Sequence, residues 1–436
     1  MALDLKQLEA EIIEQYLEDD NNRPWIIGFS GGKDSRMLLQ TVWIALKKVV
    51  KELRKRDVYV VCNDTLVENP KIVQFNKKVL AQIQESAVKQ SLPLTVVETI
   101  PKIEETFWVN LIGKGYPAPN KIFRWCTERL KINPTTRFIL EKVQERGEAI
   151  ILLGTRSDES SRRAQSIKDN EITGKRLRKH LLPNAWVYAP IKSVTIDELW
   201  QYMLQVPCPW GSDNRELITL YKNASGGDCP LVIDKTTPSC GQSRFGCWVC
   251  TVVDRDKSME GLIENGEEWM EPLLDLRDLL AKSRESNLYR YETRRDGTRK
   301  EGTLGPYREV FRAEFLEKLL VAQKEIQAEQ GEDISFITYQ ELIAIQVLWF
   351  RDHFFEPTVS DIYNKVYGYE LDLGDINQSV IKEKELLKDV CHDEPEYFNL
   401  INDLLTLQKT KVLLMKNRGL QKDLEERILK HKKSGF

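Results

Sequence analysis

The residues Ser30-Gly31-Gly32-Lys33-Asp34-Ser35 follow an apolar run, Trp25-Ile26-Ile27-Gly28-Phe29, and lead into Met37-Leu38-Leu39, Val42 and Ala45-Leu46. This pattern predicts a strand, a tight glycine turn and a helix. Backbone N–H groups converge at such a turn, and the helix that follows presents its positive dipole end. Together they make a nest for an anion such as phosphate or pyrophosphate. Lys33 adds a mobile charge, and Ser30 and Ser35 add hydroxyl donors. The GxxxxGK[ST] pattern of a P-loop is absent, because the loop is too short. The plain alternative is a glycine turn that only joins a strand to a helix.

Sulfur is the second source of chemistry. Cys229, Cys240, Cys247 and Cys250 fall within 22 residues at a spacing of C-x10-C-x6-C-x2-C, with Pro230, Pro238 and Gly246 letting the chain wrap. Four thiolates satisfy a tetrahedral Zn²⁺ or a [4Fe–4S] cluster. Spacing alone leans slightly to zinc, yet a zinc ribbon usually carries two CxxC knuckles, and here there is only Cys247-Trp248-Val249-Cys250. Cys126 stands apart among Arg124, Arg129 and Lys131. These basic neighbours are expected to lower its pKa and favour the reactive thiolate; the plain alternative is a small buried hydrophobe. Cys62, Cys208 and Cys391 are read as buried or without a special role.

The segment Gly154-Thr155-Arg156-Ser157-Asp158-Glu159-Ser160-Ser161-Arg162-Arg163 places three arginines just beyond an apolar run. Guanidinium groups suit bidentate phosphate recognition, against the alternative of a solvated charged loop. Further basic groups occur at Lys175, Arg176, Arg178 and Lys179, and at Arg290, Arg294, Arg295, Arg299 and Lys300, the latter interleaved with Tyr289, Tyr291 and Tyr307. Such patches track a nucleic-acid backbone or serve as solvated surface; the sequence does not choose between them. With four histidines and none in a motif, a histidine metal site or Ser–His triad is not expected.

The elements that would position these residues alternate. Leu5, Leu8, Ile12, Ile13 and Tyr16 have helical spacing. Strands are expected at 58–62, 94–97 and 149–153, with an edge strand at 187–190, and helices at about 71–90 and 134–146. The fold class is therefore α/β, a mostly parallel sheet with helices on both faces. Ligands of such sheets bind outside the strands' C-terminal ends. The loop at 30–35, Asn63-Asp64-Thr65 and Gly154-Thr155-Arg156 should meet at that rim. A short helix is expected at 197–200, after which residues 207–255 are rich in Pro, Gly and Cys with little periodicity. From about 256 the chain reads as charged and helical, broken by a basic loop at 290–308, with helices through Tyr339–Phe350 and Leu400–Leu414. Three regions are expected: 1–206 for nucleotide chemistry, 207–255 for the cysteine array, and 256–436 as a helical extension.

The 436 residues are 41% hydrophobic and 30% charged, which fits an ordered chain. A net charge of −3 excludes a globally basic nucleic-acid coat. The first twenty residues show no signal-peptide pattern and no apolar run is long enough to span a membrane, so a cytoplasmic location is expected. Eight cysteines in a reducing compartment are then not structural disulfides.

SGGKDS resembles the PP-loop of ATP pyrophosphatases, which cut ATP between the α- and β-phosphates and adenylate a substrate. With RWCTERLK, GTRSDESSRRA and YAPI-x5-DELW, it resembles PAPS reductase-like members of the PP-loop superfamily. The four-cysteine array ending in GCWVCT makes the chain similar to the DndC and SspD sulfurtransferases of DNA phosphorothioation. The likeness covers roughly residues 20–260. The long helical extension departs from sulfate-reducing members, which end in a short tail bearing a reactive cysteine. The resemblance implies a PP-loop, adenine nucleotide alpha hydrolase-like fold and ATP pyrophosphatase and sulfurtransferase activity, with ATP, Mg²⁺ and a [4Fe–4S] cluster on Cys229, Cys240, Cys247 and Cys250. It implies a DNA substrate for modification, a cysteine desulfurase as sulfur donor and other DNA phosphorothioation proteins as partners. Lys33, Asp34 and Cys126 are the expected catalytic residues. ATP and pyrophosphate are expected on Ser30, Gly31, Gly32, Lys33, Asp34, Ser35, Asp64, Gly154, Arg156, Arg162 and Arg163, with Asp34 or Asp64 on the metal. AMP would pass to a DNA phosphate, and sulfur from a persulfide on Cys126 or from a cluster sulfide would displace it. A tRNA thiolase, a PAPS reductase-like enzyme or a non-catalytic four-cysteine scaffold are the alternatives.

Overall fold

The computed structural model describes residues 3–18, 23–224, 246–294, 298–299, 302–352 and 354–369, with isolated positions between 386 and 429. They divide into two compact units: Met1–Lys102 with Pro119–Asp278, and Ile103–Ala118 with Leu279–Phe436.

The first unit is built on β1 (Trp25–Gly28), β2 (Val58–Asn63), β3 (Leu94–Thr99), β4 (Ala149–Leu152), β5 (Leu177–Lys179) and β6 (Ala185–Tyr188). Their order is β3-β2-β1-β4-β6-β5. Every neighbouring pair is parallel except β5 and β6. The inner strands are nearly unbroken apolar runs, as strands covered on both faces require. Alternate residues go to opposite faces. Trp25, Ile27, Val58, Val60, Ile150 and Leu152 pack with α1 (Leu5–Leu17), α2 (Lys33–Lys48), α3 (Pro70–Lys89), α6 (Ile196–Gln205) and α7 (Asn214–Asn223). Ile26, Val61, Ala149 and Ile151 pack with Phe138 and Ile139 of α4 (Asn133–Arg146). The expected α/β class, with helices on both faces, is the observed one.

Local signals set the helix starts. Asn69 caps α3 by accepting from Lys71 N at 3.0 Å, with Pro70 in the first turn. Thr195 and Glu198 form a capping box on α6. The short α5 (Ser161–Asn170) starts at Ser160, whose hydroxyl accepts from Arg163 N at 3.2 Å.

One expectation is corrected. The strand at 187–190 is not an edge: β6 lies between β4 and β5, and the edge is β5, inside the basic run 175–179. A three-residue charged strand has no apolar alternation to reveal it, and charge is what keeps a sheet edge from pairing further. α7 likewise lies in the stretch read as lacking periodicity.

After α8 (Lys257–Glu264) and α9 (Glu271–Ser283), the second unit gathers α10 (Glu309–Gln330), α11 (Tyr339–Arg351) and α12 (Val359–Tyr367) with a π-helical turn, Val109–Gly113. The last two carbonyls of that turn are satisfied by buried side chains. Arg312 donates to Ile112 O at 2.7 Å and to Gly113 O, and Trp349 Nε1 donates to Ile112 O at 2.9 Å. The helix expected through Tyr339–Phe350 is α11. The one expected through Leu400–Leu414 lies largely outside the described residues.

Candidate functional site

The order of the sheet reverses at β1, with β2 on one side and β4 on the other. A crevice opens there at the strands' C-terminal ends. It is a cleft of about 770 Å³, lined by residues 28–34 after β1, 61–64 at the end of β2, and Arg156 and Asp158 after β4. The three loops expected to share a rim do so. Ile72, Phe75 and Leu217 add an apolar wall.

The glycine loop is held open by its own polar groups. Ser30 N donates to Ser35 Oγ at 3.2 Å, and Ser35 Oγ donates to Gly32 O at 3.0 Å, so Ser35 staples the turn from below. Gly31 has φ +76°, and a Cβ there would lie 1.8 Å from Asn76 Oδ1. Asn76, on α3, donates to Ser30 O at 3.3 Å. Gly32 caps α2 without any side-chain hydrogen bond, which leaves the helix N-terminus open to an anion. Gly154 is needed for close approach, because a Cβ there would lie 2.9 Å from the Asp34 carbonyl oxygen.

Charge at the loop is arranged in series. Lys33 is buried, 3.3 Å from Asp34 Oδ2, with its ammonium 5.4 Å from the ring centre of Tyr221 on α7. Arg156 is fully buried; its Nε donates to Asp34 Oδ1 at 2.6 Å and its Nη1 to Val194 O at 3.2 Å. Of the three arginines expected to grip phosphate, Arg156 lines the cleft but is already engaged with Asp34. Arg163 is exposed and sits 3.6 Å from Glu159. The Arg162 side chain lies outside the described residues. Asp64 lines the cleft, and its Oδ1 accepts from Leu66 N at 2.8 Å.

Glu68 and Lys131, which also line the cleft, neighbour sulfur. Lys131 belongs to a π-helical turn, Thr127–Ile132, directly before α4. Asn63 Nδ2 fixes that turn by donating to Leu130 O at 2.8 Å. Lys131 Nζ stands 3.6 Å from Glu68 Oε1; Thr65 Oγ1 lies 3.1 Å from Glu68 Oε1 and 3.4 Å from Cys247 Sγ. Cys247 and, after it, Glu68 hold the Lys131 ammonium well above its ordinary pKa. Burial pushes the Cys247 thiol up to about 12, with Glu68 adding to it. Cys126 is raised too, by burial first and then by Cys250, and the attraction of Lys131 does not offset this. The expected activation of Cys126 by its basic neighbours is therefore corrected: desolvation wins, because Arg124 is exposed to solvent.

Cys247 and Cys250 are free thiols on a tight knuckle, closed by Cys250 N donating to Cys247 O at 3.0 Å. Buried Arg277 supports it, donating to Cys250 O at 3.1 Å, to Asp254 O at 3.0 Å and to Val253 O. Cys229 and Cys240 lie outside the described residues. Among the described residues no three His, Cys, Asp or Glu side chains are grouped to hold a metal ion. The knuckle fits half of a four-thiolate site, and Lys131 supplies a cation beside the negative charge such a site carries.

Glu68, Asn76, Tyr221 and Arg277 were not singled out by their sequence. A signal existed for Tyr221: Asp213 followed by Leu217 and Tyr221 at helical spacing marks a capped amphipathic helix. Among the described residues no helix is long and apolar enough to cross a membrane.

Residues 24–253 match the family model described as the phosphoadenosine phosphosulfate reductase domain. An uncharacterized protein of Methanocaldococcus jannaschii is 25% identical over 233 residues, 53% of this chain and 37% of that protein's length. This chain thus spans well under half of the curated relative. Among solved structures, the phosphate complex of phosphoadenylyl-sulfate (PAPS) reductase from Candida auris is 13% identical, covering 48% of this chain and 91% of its own, with a TM-score of 0.29. FMN adenylyltransferase from Candida glabrata is 14% identical, covering 53% and 67%, with a TM-score of 0.28. Likenesses that weak carry no argument about this site. The family match takes in the glycine loop, the Cys126 segment and the CxxC knuckle over more than half of the chain: the protein belongs to the phosphoadenosine phosphosulfate reductase domain family.

Proposed function

We propose that the protein is an ATP pyrophosphatase and sulfurtransferase that adenylates a DNA backbone phosphate and helps to replace a non-bridging oxygen with sulfur. The observation that carries this reading is that one cleft is lined both by the glycine loop with Lys33 and by Glu68 and Lys131, with Cys247 3.4 Å from Thr65 Oγ1 beside Glu68. Nucleotide activation and sulfur delivery would open onto the same space. Adenylyl and sulfur-transfer chemistry agree with the family; the DNA target rests on the likeness of the SGGKDS, RWCTERLK and GCWVCT segments.

In this reading the open amides at the start of α2 and the ammonium of Lys33 bind the β- and γ-phosphates. They stabilise the charge that grows on pyrophosphate as the α-phosphate passes to the substrate oxygen. Mg²⁺ usually enters such sites on the nucleotide's phosphates with one or two carboxylates, and Asp34 and Asp64 both line the cleft for that role. Arg156 holds Asp34 in place rather than gripping phosphate itself. The phosphoryl–AMP bond then gives a sulfur nucleophile a leaving group that a bare phosphate oxygen lacks. Cys126, as a persulfide loaded by a partner cysteine desulfurase, would supply that sulfur, with Lys131 as counter-charge: its outer sulfur bonds to phosphorus as AMP leaves, and a thiol reductant then cleaves the sulfur–sulfur bond, freeing the phosphorothioate and taking Cys126 into a disulfide. Cys247 and Cys250, with Cys229 and Cys240, would hold a [4Fe–4S] cluster, which supplies redox or sulfide chemistry when bound.

The test is pyrophosphate release from ATP and Mg²⁺ in the presence of DNA oligonucleotides, with Lys33→Ala as comparison. A loss of roughly 10²–10³-fold is expected for the variant. No ATP-dependent pyrophosphate from the wild type with any substrate would leave the scaffold reading standing. The family match also favours a second reading, a PAPS reductase-like enzyme. Sulfite release from PAPS, with no phosphorothioate in host DNA by mass spectrometry, would establish it instead.

A further inference from the structure

Tyr221 reaches the cleft from α7, outside the loops that carry the glycine turn and the carboxylates. Its place is set by neighbours on α2, α3 and α6. Asp213 caps α7 by accepting from Arg215 N at 2.8 Å. Asn214, the first residue of the helix, accepts from Gln40 Nε2 of α2 at 2.7 Å and donates to Val206 O at 3.2 Å. Lys78 of α3 pairs with Glu216 at 3.0 Å. The Tyr221 ring packs edge-on to Trp200 of α6, with centres 5.5 Å apart at 77°. Tyr221 is buried, yet it lines the cleft.

The hydroxyl ends beside the start of α2. A Cβ built on Gly32 would lie 3.3 Å from Tyr221 Oη and 3.5 Å from Ser30 Oγ, so two hydroxyls flank one small space at the uncapped N-terminus. The Lys33 ammonium lies 5.4 Å from the centre of the same ring. Charge here is in excess of its partners. Lys33 and Arg156 are paired with Asp34, and Arg156 also reaches Asp158 at 3.6 Å. Arg36 of α2 is fully buried with no hydrogen-bond partner on any of its three nitrogens. Its guanidinium lies 5.0 Å from the ring centre of Phe75, which lines the cleft. A buried cation left unpaired is costly, and a polyanion bound nearby offsets part of that cost.

We propose that Tyr221 is a phosphate-binding and specificity residue, whose hydroxyl donates to the phosphates that leave as pyrophosphate and so favours a nucleoside triphosphate over a monophosphate. The inference rests on the proposed ATP pyrophosphatase activity and adds to it a side chain from α7. The experiment measures binding of α,β-methylene ATP, which resists cleavage, and of inorganic pyrophosphate and AMP. Calorimetry is run on the full chain with Mg²⁺. Tyr221→Phe keeps the ring beside Lys33 and Trp200, so the melting temperature should hold. It should weaken the ATP analogue and pyrophosphate by roughly tenfold or more, the worth of one hydrogen bond to a charged group. AMP should bind as to wild type. Gly32→Ala probes the same space: its methyl should weaken both phosphate ligands. Because that methyl meets the hydroxyl, the loss should shrink in the Tyr221→Phe background. Undiminished binding of the analogue and pyrophosphate by Tyr221→Phe would overturn the role and leave the pyrophosphatase reading standing. An equal loss for AMP would overturn the preference for a triphosphate. No binding of the analogue or pyrophosphate by wild type would remove the pyrophosphatase reading itself.

Discussion

Asp34 is gripped by Lys33 on one oxygen and Arg156 on the other, so in the proposed reaction a metal ion arriving with nucleotide would compete with two cations for one carboxylate. The same crowding makes Gly154 a sensitive position. Gly154→Ala should press on the Asp34 backbone at a cost of about 1–3 kcal/mol. ATP affinity should fall tenfold or more by calorimetry, with a melting temperature lower by several degrees; undiminished affinity would show that the loop relaxes freely. Cys126 gives a second test at this scale. In reduced, metal-free protein its alkylation by iodoacetamide should reach half its maximal rate above the ordinary thiol value of about pH 8.5. A midpoint at or below that value would return control to the basic neighbours. The glycine loop and the CxxC knuckle were legible because their chemistry is local in sequence. The raised pKa of Cys126 was not, since burial is a product of the fold and the next cause, the charge of Cys250, lies far along the chain.

Among the elements, β1, β2 and β4 were legible because strands buried on both faces have to be apolar throughout, and the edge strand β3 by its Val96-Val97 centre. The edge strand β5 was hidden by its charge, and α7 by the proline, glycine and cysteine around it. The π-helical turn Thr127–Ile132 could not be read at all: its extra residue is a tertiary choice, supported by Asn63 holding Leu130 O. In the second unit, Glu341 completes the capping box of α11 while almost wholly buried, and burial raises its pKa. A raised carboxyl stabilises fully below its unfolded value near pH 4.3, and that contribution is lost as pH rises through the folded value. Glu341→Gln keeps an acceptor for Thr338 and should stabilise the protein at pH 7 by about 1 kcal/mol, with little effect at pH 4. Melting curves at both pH values decide it; a destabilised variant at pH 7 would mean that the charge is satisfied.

For the whole molecule, metal content is the direct measure of the cysteine array. Anaerobic purification should give a brown protein with about four irons per chain, bleached by Cys250→Ser; stoichiometric zinc without iron would defeat the cluster assignment. Cys126→Ser should keep the iron and lose sulfur transfer, whereas loss of iron would make Cys126 a ligand. The path of the chain has its own consequence. It leaves the first unit at Lys102, contributes Ile103–Ala118 to the second, returns at Pro119 and departs again after Asp278. Trp108 donates to Phe336 O at 2.6 Å, and Ile112 O accepts from Arg312 and Trp349, so this short excursion is completed by residues that come 200 to 237 positions later. The protein is stitched through rather than extended at one end. A chain ending at Asp278 should leave Trp108, Leu111 and Ile112 without these partners and aggregate.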